Sequence, residues 1–371
     1  MTAVAIYIHT PFCPSKCGYC DFNSYAMTGP IVERTVAAIE REIRSSPWAG
    51  RPAKTIFFGG GTPTFLSGPQ LTGLLAAVVE THPPIPECEI TSEANPGTID
   101  AEKFQLMRRA GFNRLSVGAQ SFKDDDLLTL GRVHRSGDIE RAVSLAREAG
   151  FNNLNLDLMF ALPKQSRRAW NQNLVRVLQL TPEHLSLYCL TIEPNTAFHK
   201  LRAKGALSLP DEDEQVHMYE HCIDVLSDAG YRQYEISNYA LPGRECRHNL
   251  CYWLGEEYIA YGPGAVGAVE KDDTRRRYTN WKHPERYAAA VESGELPAFE
   301  GEVLTEDIRR TESIMLGLRL NDGFPIEGLD LREGDVQTLV ERGWAEAPPG
   351  RLRLTREGRH FCTEAALVLM G

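Results

Sequence analysis

Cys13, Cys17 and Cys20 lie in the run CPSKCGYC, a C-x3-C-x2-C spacing on one short segment. Three thiols this close together hold a metal, form half of a disulfide framework, or are chance neighbours. The chain has nine cysteines, an odd number, and no charged start followed by a long apolar run of the secretory kind, so reduced thiols are expected and the disulfide option falls away. Structural zinc takes four ligands, usually as paired C-x2-C units, and no second such pair is present. Three thiolates suit an iron–sulfur cube that leaves one iron open to an outside ligand. Zinc and inert structural thiols are the competing readings.

Those cysteines need a frame. Short β-rich runs recur, each followed by a helix-like stretch: AIYIH from 5, TIFFGG from 55, EITSEA from 89, RLSVGA from 114, NLNLDLMF from 153 and HLSLYCL from 184. Helical patterns fill residues 31–43, 70–80, 136–150 and 211–230, with Gly150 and Gly230 at capping positions. Six such units make a parallel sheet with covered outer faces, either an open or partial (β/α) barrel or a doubly wound sheet. His9, Gly59 to Thr62, Glu93, Gln120 and Asp157 stand where the apolar runs end, the side on which barrel chemistry is built.

With 371 residues, 42% hydrophobic and 24% charged, the chain can bury a large core. Its apolar runs, such as LLAAVV at 74–79, are too short for an integral membrane segment, and a cytoplasmic protein is expected. Net charge is −10 and no Lys/Arg stripe interleaves with aromatics, which speaks against a nucleic-acid partner. From about residue 300 two helices and a short hairpin are expected, resembling a winged-helix module. Residues 300–371 carry 14 acidic and 9 basic side chains, so a packing or lid role is favoured over DNA reading.

The cysteine triplet, with Tyr19 before its last member, resembles the hallmark of the radical S-adenosylmethionine (SAM) superfamily. YIHTPFC, FFGGGTPT at 57–64, SEANP at 92–96, RLSVGAQSF at 114–122, LGRVH at 130–134 and LDLMFALPKQ at 156–165 follow in the order of the oxygen-independent coproporphyrinogen III oxidase-like group. The resemblance covers essentially the whole chain. It implies an α/β fold, a partial (β/α)6 barrel, and a [4Fe–4S] cluster on Cys13, Cys17 and Cys20 whose open iron is chelated by SAM. It further implies SAM contacts at Tyr7, Gly60, Gly61, Thr62, Glu93, Gln120, Arg132 and Asp157, with Tyr19 as a further cofactor-binding residue. The glycines would allow backbone approach and Arg132 suits a carboxylate. Gly18 is expected to permit a bend in the cysteine loop. GGGTP is not a P-loop, because no GK[ST] follows.

The group holds enzymes that decarboxylate coproporphyrinogen III through a 5′-deoxyadenosyl radical, in porphyrin biosynthesis, and a sister group of heme chaperones. The oxidases carry a fourth cysteine where this chain has Phe22, and an N-terminal extension where Met1 stands twelve residues before Cys13. CRHNLCYW at 246–253 contains H-N-x-x-Y-W, the heme-binding signature of the chaperones, with His248 as candidate axial ligand. Cys246 and Cys251 are thiolate ligands, covalent attachment points or, the favoured reading, inert buried thiols. Three parts are expected: residues 1–235 as the barrel with cluster and SAM, 236–299 as a connecting region with the heme motif, and 300–371 as the winged-helix-like module. The expected partners are heme and an acceptor hemoprotein, a membrane-bound respiratory cytochrome, which would bring the chain to the membrane periphery. Porphyrin decarboxylation is the alternative, and a nucleic-acid-reading module on a redox sensor a weaker third.

Overall fold

The structure, a computed structural model, describes residues 2–272, 274–295 and 297–371. Strands β1 (Val4–Thr10), β2 (Ala53–Gly60), β3 (Pro84–Ala94), β4 (Arg114–Gln120), β5 (Leu154–Phe160) and β6 (His184–Cys189) lie side by side in chain order, all parallel. Both faces of such strands are covered, so apolar residues run on without alternation: six of the seven residues of β1 are buried. Between the strands lie α1 (Pro30–Arg44), α2 (Gly68–Thr81), α3 (Ala101–Ala110), α4 (Asp124–Leu130), α5 (Ser136–Glu148) and α6 (Arg167–Gln179). The expected partial (β/α)6 barrel is present.

Local chemistry sets these boundaries. α1 buries Val32, Val36, Ile39 and Ile43, one stripe at helical spacing. Ser67 and Gln70 form a reciprocal cap at the start of α2, and Asp100 accepts from the Lys103 amide to open α3. Gly111 then ends α3 in the left-handed conformation that glycine adopts without strain.

The sheet runs on beyond the six units. After α7 (Ala197–Ala203) and α8 (Glu212–Asp228), β7 (Arg232–Glu235) and β8 (Asn238–Ala240) extend the β6 edge antiparallel. The short helix α9 (Arg247–Trp253) follows, and β9 (Tyr258–Tyr261) returns to pair parallel with β1 at the opposite edge. Strands β10 (Val266–Lys271), β11 (Thr274–Asn280) and β12 (Ala298–Val303) continue from β9 as an antiparallel apron, with α10 (Pro284–Ser293) packed on α1.

Glu42 of α1 fastens that apron to the barrel. Its carboxylate accepts from the Gly262 amide (2.8 Å), Asn280 Nδ2 (2.8 Å) and Tyr287 Oη (2.5 Å). Burial raises its pKa from 4.5 to about 7 despite these donors. A carboxyl raised in the folded state contributes stability that is whole below its unfolded value and is lost as pH climbs through the folded one. Unfolding free energy should therefore fall across pH 4.5 to about 7, by up to about 3 kcal/mol. Urea unfolding of the wild type and Glu42→Gln across that range tests it, since the variant should lose this part of the slope.

The C-terminal part has its own core of Ile314, Leu318, Phe324, Leu339, Leu352, Leu354, Ala365 and Leu369. It comprises α11 (Glu306–Gly317), α12 (Glu333–Glu341), α13 (Cys362–Met370) and a three-stranded sheet in which β15 (Arg351–Leu354) lies between β13 (Phe324–Pro325) and β14 (Ala345–Glu346). The third helix and the third strand exceed the two helices and hairpin expected. β13 and β14 are two residues each, and α13 is apolar almost throughout, so neither shows a readable period. Arg319 ties this part to the barrel, pairing with the buried Glu235 at 2.8 Å while its guanidinium lies 4.5 Å from the Trp253 ring centre.

Candidate functional site

One cleft opens at the carboxyl ends of β1 to β5. Cys13, Cys17, Tyr19 and Cys20 line it from the loop after β1, Gly60, Gly61 and Thr62 from the end of β2, and Glu93 from β3. Gln120 of β4, Arg132 after α4 and Asp157 of β5 complete it. Eleven of the residues singled out in the sequence thus share one cavity. Tyr7 and His248 do not line it, nor do His9, Gly18, Gly59, Cys246 and Cys251.

The cysteine loop is held from three sides. The Gly61 amide donates to Thr10 O (2.8 Å) and the Thr62 amide to Phe12 O (2.7 Å), so GGGTP is laced to the segment entering Cys13. A Cβ on Gly61 would stand 2.6 Å from Phe12 O, and one on Gly60, at φ +106°, would enter the His9 ring. The glycines therefore serve close packing against the cysteine loop as well as leaving backbone open to the cleft. Gly18 donates to Leu130 O (3.1 Å) and accepts from the Phe198 amide (2.9 Å). Its φ is not positive. The bend expected from sequence is present, closed by the Cys20 amide on Cys17 O (3.3 Å), and the Phe198 ring, 2.8 Å from where a Cβ would be, is a second reason for glycine there.

Donors are aimed at the sulfurs. Thr62 Oγ1 lies 3.4 Å from Cys13 Sγ and Arg132 Nη1 3.7 Å from Cys17 Sγ. Burial raises the Cys13 and Cys20 thiols, so they need a cation to hold them as thiolates. Among the described residues no three His, Cys, Asp or Glu side chains converge on a single ion position. Three cysteines of one loop lining one cleft are the donors a cube takes, each thiolate on its own iron. Arg132 Nε is buried without a partner, and its Nη2 donates to Gly118 O at 2.8 Å. That orphaned donor in the cleft fits the carboxylate of an amino-acid ligand. The donor set therefore fits both an iron–sulfur cube and SAM.

Sequence reasoning missed the supports. A Cβ on Gly118 would lie 3.0 Å from Gln120 Nε2 and 3.2 Å from Arg132 Nη2, so this glycine makes room for both. Gln120 itself sits at φ +64°, local strain of about 1–3 kcal/mol of the kind found at ligand sites. Ser116 and Asn155 donate to Asp157, the latter at 2.7 Å. Burial followed by the Asp157 charge raises Glu93 to about 8, against the opposing Gly60 amide. Hydroxyls of a bound ribose favour the ionised carboxylate. SAM affinity should thus increase as pH rises through about 8, by at most about tenfold per pH unit below it. Equilibrium dialysis of SAM against the wild type and Glu93→Gln checks this, and equal slopes for the two would contradict it.

At the opposite end of the barrel α9 closes the interior. Glu89 of β3 accepts from the Arg247 and His248 amides (3.2 and 3.1 Å), a carboxylate at the positive end of the helix. His248 is 1% exposed. Its Nδ1 lies 2.8 Å from Thr55 Oγ1 and its Nε2 3.0 Å from Tyr252 Oη, and its ring stacks on Phe57 at 5.0 Å. Burial lowers its pKa to about 3, so the imidazole is neutral. Tyr7, whose hydroxyl lies 3.1 Å from His9 Nδ1, stands between this ring and the upper cleft. The other face of α9, with Leu250 and Trp253, packs on the C-terminal core. Cys246 and Cys251 are buried and burial pushes both thiols up to about 12, the condition of inert thiols.

The chain matches the radical SAM superfamily model over residues 7–174. It is 36% identical to the heme chaperone HemW of Bacillus subtilis over 98% of both chains, and 44% identical to that of Escherichia coli over 76% of this chain and 74% of the relative. Among solved structures it is similar to the coproporphyrinogen III oxidase HemN of Escherichia coli, with a TM-score of 0.84 and 24% identity over 99% of this chain and 90% of that one. At that identity the likeness shows the shared fold.

Proposed function

Because the chain belongs to the radical SAM superfamily, in the oxygen-independent coproporphyrinogen III oxidase-like group with the HemW heme chaperones, we propose that it carries heme to an acceptor protein. The observation that carries this reading is identity to HemW along 98% of both chains, including the apron and C-terminal parts that lie outside the radical SAM match. The cofactors are a [4Fe–4S] cluster and SAM, and heme is the cargo.

Cys13, Cys17 and Cys20 hold the cluster, which when bound supplies one-electron chemistry beside SAM. Arg132 takes the SAM carboxylate, Glu93 accepts from its ribose hydroxyls, and Gln120 and Asp157 fix the remaining polar atoms. Tyr7 supports the cleft from beneath through His9. His248 offers heme iron a neutral imidazole once α9 gives up its contacts to Thr55 and Tyr252. Residues 1–235 form the cluster and SAM part, 236–299 the heme-handling part and 300–371 the module against which α9 rests.

The acceptor we favour is a membrane-bound respiratory cytochrome, reached from the cytoplasm. Among the described residues no helix is long and apolar enough to cross a membrane. Titration of the anaerobically reconstituted protein with hemin tests the reading. A Soret band that shifts and saturates at one heme per chain is expected; absorbance that only adds that of free hemin would remove it. The oxidase reading meets an exposed Phe22 at the place of the oxidases' fourth cysteine, and no conversion of coproporphyrinogen III is expected.

A further inference from the structure

Beside α9, with Tyr252 standing between it and His248, lies a second cavity of about 460 Å3, within the ~300–1,000 Å3 typical of small-molecule sites. It is bounded by α9, by β9 to β11 and by α11. Tyr252 and Tyr258 form one wall, their rings in edge contact at 4.7 Å, with Leu304 and Leu316 beside them. At its rim Leu254 and Met315 are 48% and 51% exposed, large apolar side chains left facing water.

Three arginines reach this cavity, and only one is spent. Arg277 pairs with Glu302 at 2.7 Å and with Glu312 at 2.5 Å. Arg275 and Arg309 have no carboxylate within ion-pair distance among the described residues, and Arg275 Nε is buried without any partner. The two acids in the lining are taken, Glu256 by Lys54 and Glu312 by Arg277, and Glu257 nearby is committed to Arg51 at 2.9 Å. Burial first, and then the charge on the nearby Arg309, disfavours the charged form of Arg275, against the opposing charges of Glu257 and Glu270. Arg309 is exposed and Arg275 half-buried, so a dianion entering from the rim would meet both guanidiniums without breaking an ion pair. The occupant this chemistry fits is flat, apolar over most of its surface, and carries two carboxylates at one edge.

We propose that this cavity seats the heme cargo, with the two propionates on Arg275 and Arg309 and the macrocycle edge against Tyr252 and Tyr258. The inference rests on the heme-carrier reading and gives it a place. Tyr252 then joins cargo and ligand, since its ring lines the cavity while its hydroxyl bonds His248. Movement of that one side chain would open the way from the cavity to the imidazole.

Hemin and its dimethyl ester, which lacks the two negative charges, are titrated into the reconstituted wild type, the double variant Arg275→Gln/Arg309→Gln, and a control Arg168→Gln/Arg202→Gln that removes equal charge from exposed sites elsewhere. The wild type and the control should prefer hemin over the ester. The Arg275/Arg309 variant should lose that preference, with hemin affinity about ten- to hundredfold lower. Unchanged hemin affinity in that variant, or an equal loss in the control, overturns the site while the heme reading stands. A wild type that takes up no hemin overturns both.

Discussion

Alanine at any one of Cys13, Cys17 or Cys20 should reduce iron and sulfide in the anaerobically reconstituted protein to background and remove its brown colour. A cube with one iron already lacking a protein ligand has none to spare, and the other thiols are badly placed to substitute. Cys88 is buried in β3 and burial pushes its thiol to about 12, and Cys362 lies at the start of α13 in the C-terminal part. Cys88→Ala and Cys362→Ala should keep full iron. The loop cysteines are only half-buried, and their loop is held by backbone bonds from Gly61, Thr62 and Gly18, so the three variants should remain folded. Hemin should still bind to them, because α9 and its neighbouring cavity lie at the other end of the barrel. Iron retained in all three variants would refute the cluster assignment.

Loss of the His248 imidazole should move or abolish the Soret band of the heme-loaded protein. His248→Ala also removes a ring stacked on Phe57 and leaves Thr55 and Tyr252 hydroxyls unpaired, at a cost of about 2–4 kcal/mol. Poor folding alone would mimic the loss, so a second variant separates the effects. Thr55→Val removes only the inner partner of the imidazole. It costs about 1–3 kcal/mol of stability, yet should take up hemin faster than the wild type because α9 has less to give up. A His248→Ala protein that is folded by circular dichroism and keeps the wild-type Soret position would show that another group meets the iron.

The upper cleft was legible in the sequence because its residues sit on short motifs at strand ends, each local in the chain. The order of β1 to β6 and helices α1, α2, α5 and α8 followed from uninterrupted apolar runs and amphipathic stripes. The glycines of GGGTP were recognised but part of their reason was not, since Phe12 and His9 meet them from some fifty residues away in sequence. The inward turn of His248 depends on Thr55 and Glu89, contributed by β2 and β3 and distant in the chain. No local pattern reports that. Strand β11 reads TRRRYTN, too charged to pass for a sheet strand by alternation, and it becomes one because β10 and β12 pair with it on both sides. Arg275 and its cavity were therefore invisible until the apron was seen.

Delivery of heme is the work proposed for a barrel built to hold a cluster and SAM. Its most direct test is transfer: the reconstituted protein, loaded with heme and freed of excess, is mixed anaerobically with an apo-cytochrome embedded in vesicles, and the absorption of the holo-cytochrome is followed. The cytochrome band should grow as the carrier's Soret band declines, faster than from free hemin at the same concentration. A cytochrome that fills no faster than with free hemin, alongside turnover of coproporphyrinogen III by the same preparation, would contradict it.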